Sequence, residues 1–263
     1  MAVLNEKATL QLEILDLWMR FGGITAVQGV SFSVHQEEIY SIIGPNGAGK
    51  TTIFNCISGI YKAQAGSIVF EGTEVLGLKP HEIAHLGIGR AFQNIELFRG
   101  MTVLDNLMSA QGYRIKYGLF RAALYLGSCL REEVESRDKV EEVIEFLDLQ
   151  PVRNTPVGAL SYGLQKRVEL ARALAMEPKL LLIDEPVSGM NLEETEDMAR
   201  YILDINEEMK ISIVLIEHDM GVVMDLSDRV TALNFGIKIA EGTPREIAEN
   251  PEVISAYLGE ELA

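Results

Sequence analysis

Hydrophobic and polar positions along the chain repeat with two periods, two and about 3.6, and the switches between them mark out its elements. LQLEILDLWM at 10–19 and AVQGVSFSV at 26–34 alternate with period two around a turn at Gly22-Gly23, which predicts an antiparallel pair of strands. An apolar run follows at 39–43, and Ile53, Phe54 and Ile57 then recur at helical spacing. AGSIVFEGTEV reads as a hairpin, with a strand at 67–70 and a turn at Glu71-Gly72. A short helix opens at Pro80 and is closed by Gly87 and Gly89, and IGRAF after it reads as a strand.

The region 102–156 has mostly helical spacing. Thr102 caps TVLDNLMSA, with Asp105 three residues on, close to a capping box. YGLFRAALYLGSCL carries little charge and reads either as core packing or as a partner-facing surface. Val140, Val143, Ile144 and Leu147 share one face of a surface helix, and Pro151 and Pro156 close the region. Ser161 is the N-cap of a further helix whose Leu164, Val168, Ala171 and Ala175 lie on one side. Apolar runs at 180–183 and 211–216 have the unbroken character of central parallel strands. VTALNF, a turn at Gly236 and KIAEG form a last hairpin. A helix capped by Thr243, Pro244 and Glu246 follows, and Pro251 divides it from EVISAYLG. The expected fold is α/β, with a helical subdomain inserted into the core.

The first candidate for chemistry sits between the strand at 39–43 and the helix after it. GPNGAGKT at 44–51 fits G-x-x-x-x-G-K-[ST], extended by Thr52, in the strand–loop–helix setting the motif needs. Gly44, Gly47 and Gly49 lack Cβ, so the loop Gly44-Pro45-Asn46-Gly47-Ala48-Gly49 is free to curl its N–H groups around phosphate oxygens. The helix beginning near Lys50 directs its positive end at the same anion. Lys50 supplies a point charge for the outer phosphates, and the Thr51 hydroxyl is a ligand for Mg²⁺. Asp184 and Glu185 end the run at 180–183, at the edge where open α/β sheets bind ligands. Asp184 suits the Mg²⁺ shell and Glu185 suits a base that orients and deprotonates water. His218 ends the run at 211–216, the third polar group expected at that edge. Phe21, upstream of the loop, is either a half-buried strand aromatic or a face for adenine.

Composition narrows the function. The chain has 263 residues, 48% of them hydrophobic, enough for a large packed core. Its formal net charge of −16 argues against nucleic acid and against direct docking on anionic lipid. Cys56 and Cys129 are the only cysteines, and reduced thiols in a cytoplasmic protein are expected. No apolar stretch nears the length of a bilayer span, and the first residues lack the basic-then-apolar order of a signal peptide. Any membrane role therefore comes through partners.

His81, Glu82 and His85 spell H-E-x-x-H, a zinc-protease pattern. The helix is too short for that site, and no third histidine lies near it. A surface helix with two solvated histidines is the expectation.

Taken in order, these motifs resemble the ATP-binding subunit of an ABC transporter over nearly the whole chain. GPNGAGKT resembles the Walker A loop and LLLIDE the Walker B strand. Gln93 matches the Q-loop glutamine, LSYGLQ the signature, and His218 the switch histidine. SGMN resembles the D-loop, with Asn191 where Asp is commoner. Phe21 falls at the adenine-stacking position. The resemblance implies a P-loop NTPase (RecA-like) core, an antiparallel β-subdomain and the inserted helical subdomain. It implies a single nucleotide-binding domain over 1–263, with core 1–92 and 178–263 and helical subdomain 93–177. The implied cofactors are ATP and Mg²⁺, the metal held by Thr51, Gln93 and Asp184. Ser161 and Gly163 are implied to act in trans, on the γ-phosphate held by a second such subunit, a homo- or heterodimer. Transmembrane permease subunits and, indirectly, a solute-binding protein are the other implied partners, on the cytoplasmic face of the inner membrane. RAFQNIELFRGMTVLDNLMSA, the insertion after it and GTPREIAENPEVISAYLG resemble the LivG-type ATPases of branched-chain amino-acid importers. The ATPases of lipopolysaccharide export and of urea or amide importers are the alternatives.

Overall fold

A computed structural model describes residues 9–91, 95–112 and 128–258. Gln93 and most of the YGLFRAALYLGSCL stretch lie outside the described residues. The antiparallel pair forms as expected, β1 Leu10–Phe21 against β2 Ile24–His35. With β4 Ala65–Phe70 and β5 Thr73–Glu74 it makes a four-stranded sheet in the order β2-β1-β4-β5. A second sheet has the order β10-β9-β3-β8-β7-β6. Its strands are β3 Ile39–Ile43, β6 Ile88–Ala91, β7 Leu180–Asp184, β8 Ser212–Ile216, β9 Arg229–Asn234 and β10 Ile237–Gly242. All but β10 run parallel.

Period two explains why β3, β7 and β8 read as unbroken apolar runs. Each is buried along its whole length because the sheet is covered on both faces. Tyr40, Ile42, Leu180, Leu182, Val214 and Ile216 point into one cluster, with β1, β2 and α1 (Lys50–Ile57). Their neighbours Ile39, Leu181, Ile183, Ile213 and Leu215 point into another, with the helices of 103–205. Each fully buried Leu or Ile contributes about 1.5–3 kcal/mol.

The helical part uses the predicted faces. In α3 Val103–Gln111, Thr102 caps the first turn by accepting from Asp105 N–H at 3.1 Å. In α4 Ser128–Phe146 and the turn after it, Val140, Val143, Ile144 and Leu147 are all buried. The helix expected after Ser161 is α5 Tyr162–Leu174, whose Val168 and Ala171 are buried, and it is capped by the Ser161 hydroxyl accepting from Leu164 N–H. These helices share one hydrophobic cluster with the second face of the main sheet. Among the described residues, the inner surface of these helices is the cover of the sheet.

Three further elements matter for the site. α6 Leu192–Met209 is capped by Asn191, which accepts from Glu194 N–H at 3.0 Å while Glu194 accepts from Asn191 N–H at 3.2 Å. Asn caps a helix as well as Asp does, so the departure at Asn191 leaves that turn intact. α7 Met220–Leu226 follows His218. α8 Pro244–Ala248 and α9 Pro251–Leu258 fold back so that Ile247 and Val253 pack on Ile43, at the end of β3. α2 Pro80–Leu86 is a seven-residue helix whose one buried residue is Ile83; His81 and His85 are exposed. No helix among the described residues is long and apolar enough to cross a membrane.

Candidate functional site

The loop after β3 is held in shape from four directions. Gly49 lies at φ 101°, and a Cβ there would stand 2.4 Å from the Ala26 carbonyl oxygen of β2. No other residue type fits that contact. From the β9–β10 turn, Gly236 N–H donates to the Ala48 carbonyl at 3.0 Å. From α9, the Tyr257 hydroxyl accepts the Gly44 N–H at 2.9 Å. From within, the Lys50 ammonium donates to the Gly44 carbonyl at 2.5 Å and the Pro45 carbonyl at 3.0 Å. Lys50 is only 7% exposed.

Above this loop is a cleft of about 390 Å³, lined by Phe21, Ala26, residues 46–52 and Glu185. Asn46, Gly47 and Thr51 are exposed into solvent. The first turn of a helix always leaves N–H groups without intrahelical acceptors, and that end of α1 opens into the cleft. Phe21 sits at the rim, edge-on to Tyr61 with ring centres 5.1 Å apart. The resemblance puts Phe21 at the adenine-stacking position, and the structure sets it on the wall of this cleft.

Glu185 reaches the cleft from the far strand. Its backbone lies at φ 51°, left-handed for a residue with a side chain. The Glu185 N–H donates to the Ile216 carbonyl at 2.9 Å, which draws the ends of β7 and β8 together. His218 Nδ1 is 3.9 Å from Glu185 Oε1. Asp184 is almost fully buried, and one of its oxygens, Oδ2, accepts from Arg90 at 3.3 Å. The other, Oδ1, is buried with no hydrogen-bond partner. Burial raises the Asp184 carboxyl above its usual range, and the Arg90 guanidinium opposes that shift. A buried, unpartnered carboxylate oxygen beside a phosphate loop is the donor a hard cation requires, so these residues fit Mg²⁺.

Two residues escaped the sequence reading. Arg90 donates to Asn55 Oδ1 at 2.7 Å and Ser58 Oγ at 3.3 Å as well as to Asp184, joining α1 to β7 beneath the site. Its signal was a lone charge inside apolar IGRAF. Glu217 is fully buried and accepts from His218 N–H at 2.9 Å, Asp219 N–H at 3.2 Å and Val187 N–H at 3.4 Å. It staples the His218 turn to the loop after Glu185. Its signal was an acid directly after an apolar strand, beside the histidine that drew attention instead.

Ser161 and Gly163 are not among the residues lining this cleft. Gly163 lies against Glu194 of α6, and Tyr162, between Ser161 and Gly163, meets the turn after Glu185, its ring 3.3 Å from where a Cβ at Gly189 would stand. Within one chain, the structure gathers Phe21, residues 46–52 and Glu185 around one cleft, with Asp184 and His218 beside Glu185, and it sets the signature residues elsewhere.

Residues 27–188 match the family model described as ABC transporter. Residues 238–263 match that described as branched-chain amino acid ATP-binding cassette transporter. The chain is 43% identical over 249 residues to the high-affinity branched-chain amino acid transport ATP-binding protein LivG of Escherichia coli, covering 95% of this chain and 98% of that one. Among solved structures it resembles the ADP conformation of an ATP-binding cassette of an ABC transporter, with TM-score 0.83 and 32% identity, over 95% of this chain and 99% of that one. It also resembles a dimeric, post-hydrolysis ATP-binding cassette bound to ADP and Pi, with TM-score 0.74 and 25% identity, over 89% and 99% of the two chains.

Proposed function

The chain belongs to the ATP-binding subunits of ABC transporters, in their branched-chain amino-acid group, and from that premise we propose what it moves and how its residues work. It is an ATP hydrolase whose reaction is coupled to transport. The solute in our reading is a branched-chain amino acid, carried inward. The observation that carries this is the match at 238–263 to the model described for branched-chain amino acid transporters, beside relatives named for the same transport. The partners are transmembrane permeases, a second ATPase subunit and, through the permeases, a solute-binding protein. The chain sits on the cytoplasmic face of the inner membrane.

In the proposed site the adenine stacks on Phe21 and the loop 44–52 holds the triphosphate. Lys50 leaves the Gly44 and Pro45 carbonyls for the outer phosphate oxygens. Thr51, Asp184 and Gln93 would hold Mg²⁺, which would supply positive charge against the phosphates; the unpartnered Asp184 Oδ1 supports its part in that set. Water attacks the γ-phosphorus and the bond to the β,γ-bridging oxygen breaks, releasing ADP and phosphate. Glu185 orients the water and accepts its proton, and His218 holds the γ-phosphate oxygens. Ser161 and Gly163 of the second chain complete the site, turned in by a two-fold axis.

Two experiments test this. In a host lacking the gene, uptake of labelled leucine, isoleucine and valine should fall to background and return with the wild-type gene, while urea uptake stays unchanged. The reverse pattern would replace the proposed solute. The composite site is tested by thiols, with Cys56 and Cys129 first replaced. One protein carries Asn46→Cys and another Ser161→Cys, both with Glu185→Gln. Mixed with MgATP and a short cross-linker, they should form a covalent dimer, while each by itself cross-links poorly. Equal yield without nucleotide, or no mixed dimer despite ATP binding, counts against it.

A further inference from the structure

A buried lysine lies between the signature helix and the catalytic edge. Lys166, in the first turns of α5, is only 4% exposed. Its ammonium donates to the Glu185 backbone carbonyl at 3.2 Å. Burial lowers its pKa, and the charges of Glu169, Glu185, Glu217 and Asp184 act against that. A buried ammonium without such compensation would be costly, so this lysine belongs to an acidic setting built around it.

The group it holds is an unusual one. Glu185 is a left-handed, non-glycine residue, a conformation that persists only where the surroundings over-determine it. β8 fixes its N–H through the Ile216 carbonyl, and Lys166 fixes its carbonyl. The same helix meets the far end of that loop, where the Tyr162 ring packs against Gly189. The start of α5 therefore grips the segment 185–189 at both ends.

We propose that Lys166 is a positioning residue that ties the signature helix of a chain to the backbone of that chain's own Glu185. Engagement of a second chain's ATP by Ser161 and Gly163 is thereby felt at this chain's base, so each site reports its occupancy to the other. The second half of this rests on the composite site proposed above.

The test uses the full chain with Lys166→Gln, which loses the charge and the reach, and Lys166→Arg, which keeps both. Rates are normalised to the fraction of protein that binds a fluorescent ATP analogue. Lys166→Gln should lower kcat about tenfold with KM for ATP within about twofold, and Lys166→Arg should recover most of the loss. The Asn46→Cys and Ser161→Cys cross-link should form with MgATP in the Lys166→Gln background as in its parent. Unchanged normalised kcat, or a loss that Lys166→Arg does not repair, would overturn the proposal. So would a cross-link lost only in the Lys166→Gln background, since Lys166 would then serve dimer formation. A cross-link missing from the parent as well would sink the composite site, while the kcat of Lys166→Gln would still decide whether Lys166 positions Glu185.

Discussion

Glu185→Gln should bind ATP as the wild type does and turn it over at least about a hundredfold more slowly. The argument rests on what the change leaves alone. Glutamine has nearly the same shape, so the side chain that lines the cleft keeps its volume and its neighbour His218, 3.9 Å away. The backbone anchor to Ile216 is also untouched. The loop, its N–H groups and Lys50 lie on other elements and still hold the phosphates. What disappears is a charged acceptor for the proton of the attacking water, and a positioned general base is worth ~10²–10⁴ in rate. A hundredfold corresponds to about 2.7 kcal/mol of barrier. Steady-state phosphate release, paired with binding of a fluorescent ATP analogue, measures both halves. Turnover within twofold of wild type would remove Glu185 from the role of base.

The other large effect is expected at Lys50. Lys50→Met should weaken ATP binding by about a hundredfold or more. The ammonium has two successive tasks in our mechanism. Without nucleotide it bridges the Gly44 and Pro45 carbonyls and closes the loop on itself. With nucleotide it moves its donors to the outer phosphates. Charge-assisted hydrogen bonds contribute ~1.5–3 kcal/mol each, so losing two accounts for the expected drop. Lys50→Arg should not rescue, because the Gly44 and Pro45 carbonyls of the tight loop clasp a compact ammonium at 2.5 and 3.0 Å and do not match a planar fork. Isothermal titration with MgATP decides it, and a dissociation constant within threefold of wild type for Lys50→Met would refute the assignment.

Much of the fold could be read from local pattern because local pattern causes it. The alternation in β1 and β2, the Gly22-Gly23 turn and the caps at Thr102, Ser161 and Thr243 all form as written. Loop glycines marked the tight loop before α1 because Gly49 has no room for a side chain. What stayed hidden depends on which strand lies beside which. The apolar runs of β3, β7 and β8 look alike, so nothing local says that β8 separates β3 from β7. Arg90 meets Asp184 only because β6 pairs with β7, and Lys166 meets Glu185 only because α5 packs over that edge. Glu217 was overlooked because its role lies in three backbone donors that no side-chain motif names.

The contact between Tyr257 and Gly44 has a consequence for the order in which the molecule is made. The two residues are 213 positions apart in sequence. At about 5–20 residues per second of synthesis, roughly 10–40 s separate the phosphate loop from the hydroxyl that steadies it. For the first part of that interval β3 and its loop exist without β7 and β8, and for the whole of it without α9. ATP in the surrounding solution therefore meets a cradle that lacks its last support until α9 has been made. The tyrosine is the last of the loop's four supports to be made, so the closing helix is a latch on maturation as well as a part of the fold.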